Sequence, residues 1–172
     1  VQPIARIKAV LEQGHRCFGE NRVQEAIGKW PILQKSYENI ELHLIGPLQT
    51  NKTRQAMKLF NAIHSVDRSK LSSTIARLAQ ELGTCPVIFI QVNTGNEPQK
   101  SGVDPLETDT FINYCIKDLK LNIVGLMCIP PISEEPSMHF LFLKKIANRN
   151  NLPELSMGMS SDYEDAIKFG AT

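Results

Sequence analysis

The strict alternation of strand and helix patterns constrains this fold most. Strand patterns occupy residues 16–19, 40–45, 62–66, 86–92, 122–127 and 155–158. Helical patterns occupy residues 2–13, 22–27, 52–58, 67–82, 105–119, 135–147 and 161–170, and Pro31 is expected to end the second of these helical segments. The run 86–92 is almost wholly apolar, which is typical of a strand buried on both faces. Alternation of this kind favours parallel strands joined by right-handed helical crossovers.

Two architectures fit such a pattern, an open doubly wound sheet and a closed barrel. No G-x-G-x-x-G segment follows any strand, so the main support for a dinucleotide-binding open sheet is missing. An α/β barrel of the TIM type, (β/α)8, needs eight strands, and this chain predicts six strands with a helix at each end. We therefore predict that residues 1–172 form one barrel domain whose first and last strands are missing from this chain.

Composition excludes several functional classes. The chain is 42% hydrophobic with a formal net charge of +1, so bulk charge indicates neither a nucleic-acid partner nor an acidic membrane. No apolar run is long enough to span a bilayer and no signal-peptide pattern is present, so the cytoplasm is the expected location. The four cysteines lack C-x-x-C spacing, which predicts buried thiols in a reducing compartment rather than a zinc site.

The loop at residues 156–162 is the most informative candidate site. Gly158 permits close approach of a ligand to the backbone, and Ser160 or Ser161 begins a helix through the capping box Ser161-x-x-Glu164. Backbone N–H groups at a helix start favour an anion such as phosphate. A plain serine cap without a ligand is the competing interpretation.

Two histidines within strands, His43 and His64, allow a different interpretation. Inward-facing histidines on barrel strands are ligands in metal-dependent hydrolases. No H-x-H pair is present, however, so hydrogen-bonded core histidines are the preferred interpretation and no metal is predicted.

Seven short motifs, in order along nearly the whole chain, resemble one family. They are FGENRVQE at 18–25, HLIGPLQTNK at 43–52, SVDR at 65–68, QVN at 91–93, KSG at 100–102, GLM-x-IPP at 125–131 and LSMGMSSD at 155–162. With these motifs the chain resembles the YggS/PROSC family of pyridoxal-phosphate homeostasis proteins. The fold of that family is the alanine-racemase-type barrel.

The resemblance implies a bound pyridoxal 5′-phosphate. The family's Schiff-base lysine is expected just upstream of Val1 and is absent from this chain, so we expect no covalent cofactor linkage here. A last strand with further phosphate contacts is expected after Thr172. The implied cofactor-binding residues that remain are Asn21 beside the cofactor, then Ser156, Gly158, Met159 and Ser160 in a phosphate loop, with His43, Asn93 and Met127 lining the barrel mouth.

The resemblance implies a non-catalytic, monomeric protein of vitamin B6 and amino-acid homeostasis, with no catalytic residue. A racemase would need a second base on the opposite face of the cofactor. This requirement counts against a racemase. An amino-acid racemase-like enzyme is still the first alternative, and a metal-dependent barrel hydrolase is the second.

Overall fold

A computed structural model describes residues 2–172. Six strands are present, β1 Cys17–Glu20, β2 Glu41–Leu44, β3 Ala62–Val66, β4 Val87–Gln91, β5 Ile123–Met127 and β6 Glu154–Ser156. The α-helices are α1 Ile4–Glu12, α2 Val23–Ile27, α3 Trp30–Ser36, α4 Thr53–Leu59, α5 Ser69–Leu82, α6 Thr108–Asn113, α7 Pro136–Arg149 and α8 Tyr163–Phe169. A 3-10 turn at Thr50–Lys52 precedes α4, and a π-helical turn at Tyr114–Asp118 extends α6.

All six strands lie in one parallel sheet in the order β1-β2-β3-β4-β5-β6. Each strand therefore pairs with the strand that precedes it in the chain, as a singly wound barrel requires. The predicted parallel α/β architecture is confirmed for these six strands.

The sheet is strongly curved, which one hydrogen bond demonstrates. Two strands separate β3 from β6, so in a flat sheet their axes would be roughly 14 Å apart. Yet His64 Nδ1 on β3 lies 2.7 Å from Ser156 Oγ on β6. The face that carries these two side chains is concave, and the six strands form a half-barrel.

The hydrophobic core lies between the convex face of the sheet and the helices. Alternation along β2 shows this, because Leu42 and Leu44 are fully buried against the helices while His43 faces the concave side. The amphipathic helix α5 buries Leu71, Ile75 and Leu78 on one face. No helix within residues 2–172 is long and apolar enough to cross a bilayer.

The prediction of seven helices was wrong at Pro31. A further helix, α3, spans Trp30–Ser36, and Pro31 lies in its first turn. Proline is favoured there because its missing N–H would have no partner in a first turn anyway. Pro31 therefore starts a helix, where the sequence suggested an end.

Two capping predictions were also wrong, the capping box at Ser161 and the expectation from the sequence that Asp67 caps the helix after β3. Helix α8 begins at Tyr163 with Asp162 as its N-cap residue, so Ser161 does not cap it. Arg68, not Asp67, is the N-cap residue of α5, and the Asp67 carboxylate pairs with the Arg68 guanidinium instead. Strand β6 ends at Ser156, which leaves Gly158 in the loop.

Candidate cofactor site

The carboxyl ends of the strands form one rim, where the ligand sites of α/β barrels lie. A cavity of about 300 Å³ opens at this rim. Its lining residues come from the ends of several strands and their loops: Asn21, Ile45, Gly46, Pro47, Gln91, Lys100, Ser101 and Ile129. The volume is at the lower end of small-molecule pockets. Of the residues predicted from sequence, Asn21 lines this cavity.

Asn21 is positioned by a close backbone contact with Gly46. A Cβ atom at Gly46 would overlap the backbone of Asn21, so only glycine permits the two loops to meet. The Ser65 hydroxyl donates to the Gly46 oxygen at 2.7 Å and holds the same turn from β3. The FGEN and IGP motifs are therefore in direct contact at the rim.

The predicted phosphate loop follows β6. Gly158 has φ +98°, and a Cβ atom there would lie 2.8 Å from the Ala166 Cβ, so the loop packs tightly on α8. The Met159 N–H donates to the Asp162 carboxylate at 2.5 Å. Within the described part of the chain, the backbone N–H groups of Ser160 and Ser161 donate to no protein acceptor. The loop can therefore offer these two N–H groups to an anion.

A row of polar side chains crosses the concave face, which we call the lumenal row: Glu41, His43, His64 and Ser156. Glu41 Oε1 lies 3.0 Å from His43 Nε2, and His43 Nδ1 lies 3.0 Å from His64 Nε2. His64 Nδ1 then lies 2.7 Å from Ser156 Oγ. Both histidines are hydrogen-bonded, as predicted, but only His64 is buried, and His43 is half-buried on the concave face rather than in the core.

His64 is the most perturbed group in the row. Its ring is buried and stacks on Phe89, with ring centroids 4.1 Å apart. Burial, and secondly the charge of His43, lower the pKa of His64 to about 4. His64 is therefore a neutral imidazole near neutral pH, with one donor and one acceptor nitrogen.

Cys17, from the edge strand β1, lies next to the lumenal row. Its sulfur, the Glu41 carboxylate and a ring nitrogen of His43 all lie within 4.8 Å of one another. Burial, and secondly the charge of Glu41, raise the pKa of Cys17, which disfavours its thiolate. Glu41 and His43 are engaged in a hydrogen bond with each other, so we assign no metal ligands here.

The other predicted residues are distributed around the mouth. Met127 ends β5, is buried, and pairs in register with Gln91 and Ser156. Asn93 closes its own loop instead, because its side chain donates to the Glu97 oxygen at 2.8 Å and accepts from the Glu97 N–H at 3.2 Å. Met159 is exposed on the loop surface.

Sequence reasoning missed Gln91 and Gly46 as site residues, although both lie inside recognised motifs. The Gln91 side chain donates to the Ser101 oxygen at 3.3 Å, which fixes the KSG segment over the mouth. A buried polar residue near the end of an otherwise apolar strand is the signal that could have identified Gln91.

A larger cavity, of about 810 Å³, lies on the helical side, between the start of α5 and the α6 region. It contains none of the residues predicted to bind a ligand. We therefore place the candidate site at the rim of the half-barrel.

Comparison with known proteins identifies the family. Residues 3–170 match the family profile described as alanine racemase, N-terminal domain. The chain belongs to this family, and its curved parallel sheet is the corresponding part of the alanine-racemase-type barrel.

Relatives define the subgroup more narrowly. The chain is 37% identical to a pyridoxal phosphate homeostasis protein of Aquifex aeolicus, over 96% of this chain and 76% of that protein. It is 39% identical to one of Synechocystis, over 98% and 81%. It thus belongs among the pyridoxal phosphate homeostasis proteins.

A solved structure supports the same grouping. PipY of Synechococcus elongatus, determined without pyridoxal phosphate, matches with a TM-score of 0.93 and 38% identity, covering 99% of this chain and 84% of PipY. The PipY structure with pyridoxal phosphate bound matches with a TM-score of 0.88 and 37% identity, with the same coverage of both chains.

Proposed function

We propose that this protein binds pyridoxal 5′-phosphate at the rim of its half-barrel and acts without catalysis in vitamin B6 and amino-acid homeostasis. The observation that carries the proposal is the match along almost the whole chain to PipY, whose structure is known with pyridoxal phosphate bound. When bound, this cofactor supplies an aldehyde that is reactive toward amines.

The residues at the rim fit such a ligand. The cavity beside Asn21 accepts a small planar ring, and the loop after β6 offers two backbone N–H groups for a phosphate. We propose that Ser156, Gly158, Met159 and Ser160 surround the phosphate. Asn21, His43, Asn93 and Met127 would then lie toward the ring or shape the mouth, Asn93 by ordering its loop.

Equilibrium dialysis tests the proposal. The chain is expected to bind pyridoxal 5′-phosphate saturably and to bind pyridoxal, which lacks the phosphate, more weakly. A hydrogen bond to a charged group contributes roughly 1.5–3 kcal/mol. Ser160→Ala removes a hydroxyl that we place at the phosphate and should therefore weaken binding of the phosphate form by roughly tenfold or more.

Ser36→Ala is the matched control, because Ser36 is exposed at the end of α3, far along the chain from the loop. It should bind as the wild type does. Equal affinity for pyridoxal and pyridoxal phosphate, or no saturable binding, would contradict the proposed function.

The absence of catalysis is tested separately. The relatives are described as homeostasis proteins, and we propose that this chain likewise does not exchange the α-proton of amino acids. Alanine incubated in deuterium oxide with the protein and pyridoxal phosphate should gain no more deuterium than with pyridoxal phosphate alone. Protein-dependent exchange would favour the racemase-like alternative.

We further propose that residues 1–172 act as one cofactor-binding domain, in the cytoplasm and as a monomer. One connected hydrophobic core joins α1 to α8, which supports a single domain. The cysteines are free thiols, which supports a reducing compartment. Size-exclusion chromatography with light scattering tests the monomer.

A further inference from the structure

We infer that Glu41, His43 and His64 are positioning residues that set the hydrogen-bonding direction of the Ser156 hydroxyl, so that an anion accepting from Ser156 is bound together with one proton. The inference rests on the proposed function for the identity of the anion. It concerns residues up to 115 positions apart in the chain, since Glu41 and Ser156 are the two ends of the row.

When no anion is bound, Glu41 at one end of the lumenal row determines which atom donates in each of its hydrogen bonds. An ionised carboxylate only accepts hydrogen bonds, so His43 must place its proton on Nε2, toward Glu41. A neutral His43 then accepts at Nδ1, which requires the His64 proton on Nε2. His64 Nδ1 is left as an acceptor, and the Ser156 hydroxyl donates its only proton to it.

An anion reverses this direction. A phosphate oxygen at Ser156 accepts the hydroxyl proton, so Ser156 Oγ must accept from His64 Nδ1–H. His64 stays neutral, because burial lowers its pKa to about 4, and therefore accepts at Nε2 from His43 Nδ1–H. The lone pair of His43 Nε2 would then face a carboxylate at 3.0 Å.

That last contact is favourable only if a further proton lies between the two groups. His43 takes it up and becomes an imidazolium paired with Glu41, or the carboxyl itself holds it. The two protein states differ by one proton, which comes from solvent and ends at the Glu41–His43 pair. No covalent bond between heavy atoms changes.

The surroundings of the row contain few competing groups. Cys17 faces the Glu41–His43 end from β1, and its raised pKa keeps it a neutral thiol. Phe89 of β4 covers one face of His64. Glu154, two residues before Ser156 on β6, is the other titratable group on the same side of that strand.

The variant Glu41→Gln removes the need for the added proton without disturbing the fold. A glutamine amide can either donate to His43 Nε2 or accept from it, so both directions of the row are allowed without an added proton. Glu41 is largely exposed, with 59% of its side chain accessible, so the substitution leaves the core intact. Glu38→Gln, at an exposed acid in the turn before β2, is the matched control.

Calorimetry with pyridoxal 5′-phosphate, in buffers of different ionisation enthalpy, counts the protons taken up. Wild type and Glu38→Gln should take up one proton more than Glu41→Gln. Because binding takes up this proton, their affinity should fall with rising pH by up to tenfold per pH unit relative to Glu41→Gln. Equal proton uptake in all three proteins overturns the inference.

A measurement without cofactor keeps the two proposals distinguishable. Nitrogen-15 NMR of the imidazole rings should show the His64 proton on Nε2 at high pH. It should move to Nδ1 as His43 gains its second proton, while His64 remains neutral. If this shift occurs but dialysis detects no binding of pyridoxal phosphate, the proposed function fails and the row stands. A His64 proton on Nδ1 while His43 is neutral overturns the row.

Discussion

The ammonium of Lys29 lies 2.5 Å from the carboxylate of Glu20, and both side chains are about nine-tenths buried. The same Glu20 oxygen accepts from the Trp30 indole N–H at 2.8 Å. Glu20 ends β1, Lys29 is the N-cap residue of α3 and Trp30 is its first residue, so this buried ion pair ties the start of α3 to the strand that leads to Asn21.

Removal of Lys29 is expected to be strongly destabilising. Lys29→Ala leaves the Glu20 charge buried with a single neutral donor, which costs about 3–5 kcal/mol. Urea denaturation monitored by circular dichroism measures the change. Arg22→Ala breaks the exposed Arg22–Glu25 pair instead and should cost less than about 1 kcal/mol. Equal effects of the two substitutions would show that burial does not decide the outcome.

Gly46→Ala is expected to displace Asn21. The added Cβ overlaps the Asn21 backbone, and relief of such an overlap costs about 1–3 kcal/mol. Denaturation gives the loss of stability, and dialysis should show weaker binding of pyridoxal phosphate. Gly28→Ala is the control, because the nearest atom to its Cβ would be at 3.6 Å. Unchanged binding in Gly46→Ala would show that the position of Asn21 does not affect cofactor binding.

Gly158→Ala tests the tight packing of the loop on α8. Gly158 and Gly83 both have positive φ, at +98° and +68°, so alanine is strained at both positions. Only at Gly158 would the Cβ also meet a neighbour, the Ala166 Cβ at 2.8 Å. Melting temperature should fall further for Gly158→Ala than for Gly83→Ala, and only the former should weaken cofactor binding. The reverse order would rule out the overlap as the cause.

Stability should fall in mild acid because of His64. Burial lowers its pKa from 6.5 to about 4, so the unfolded chain binds more protons than the folded one between these values. The stabilisation is present above pH 6.5 and is lost as the pH falls toward 4. It amounts to about 3 kcal/mol.

Urea denaturation at pH 7 and pH 5 measures this effect. His64→Asn should reduce the difference between the two pH values, whereas His15→Asn, at an exposed histidine, should leave it unchanged. An unaltered difference in His64→Asn would assign the acid sensitivity to other groups.

The parallel half-barrel could be predicted because its signals are local. The apolar run of β4 and the glycine that ends α5 can each be recognised from a few consecutive residues. Pro31 was misread because a proline that stops one helix and a proline that starts the next look alike in sequence.

The lumenal row and the Glu20–Lys29 pair could not be predicted from sequence. His64 and Ser156 are 92 residues apart, and their contact depends on the curvature of the whole sheet. Glu20 lies within a polar motif that gives no indication of burial. Likewise, Asn93 closes its own loop through Glu97, a contact that depends on the course of the backbone there.

The order of the strands has a consequence for synthesis. Since each strand pairs with its predecessor, every new strand that leaves the ribosome finds its partner already made. The sheet can therefore grow from β1 toward β6 by successive addition, without waiting for a distant segment. The lumenal row would be completed last, when β6 brings Ser156 to His64.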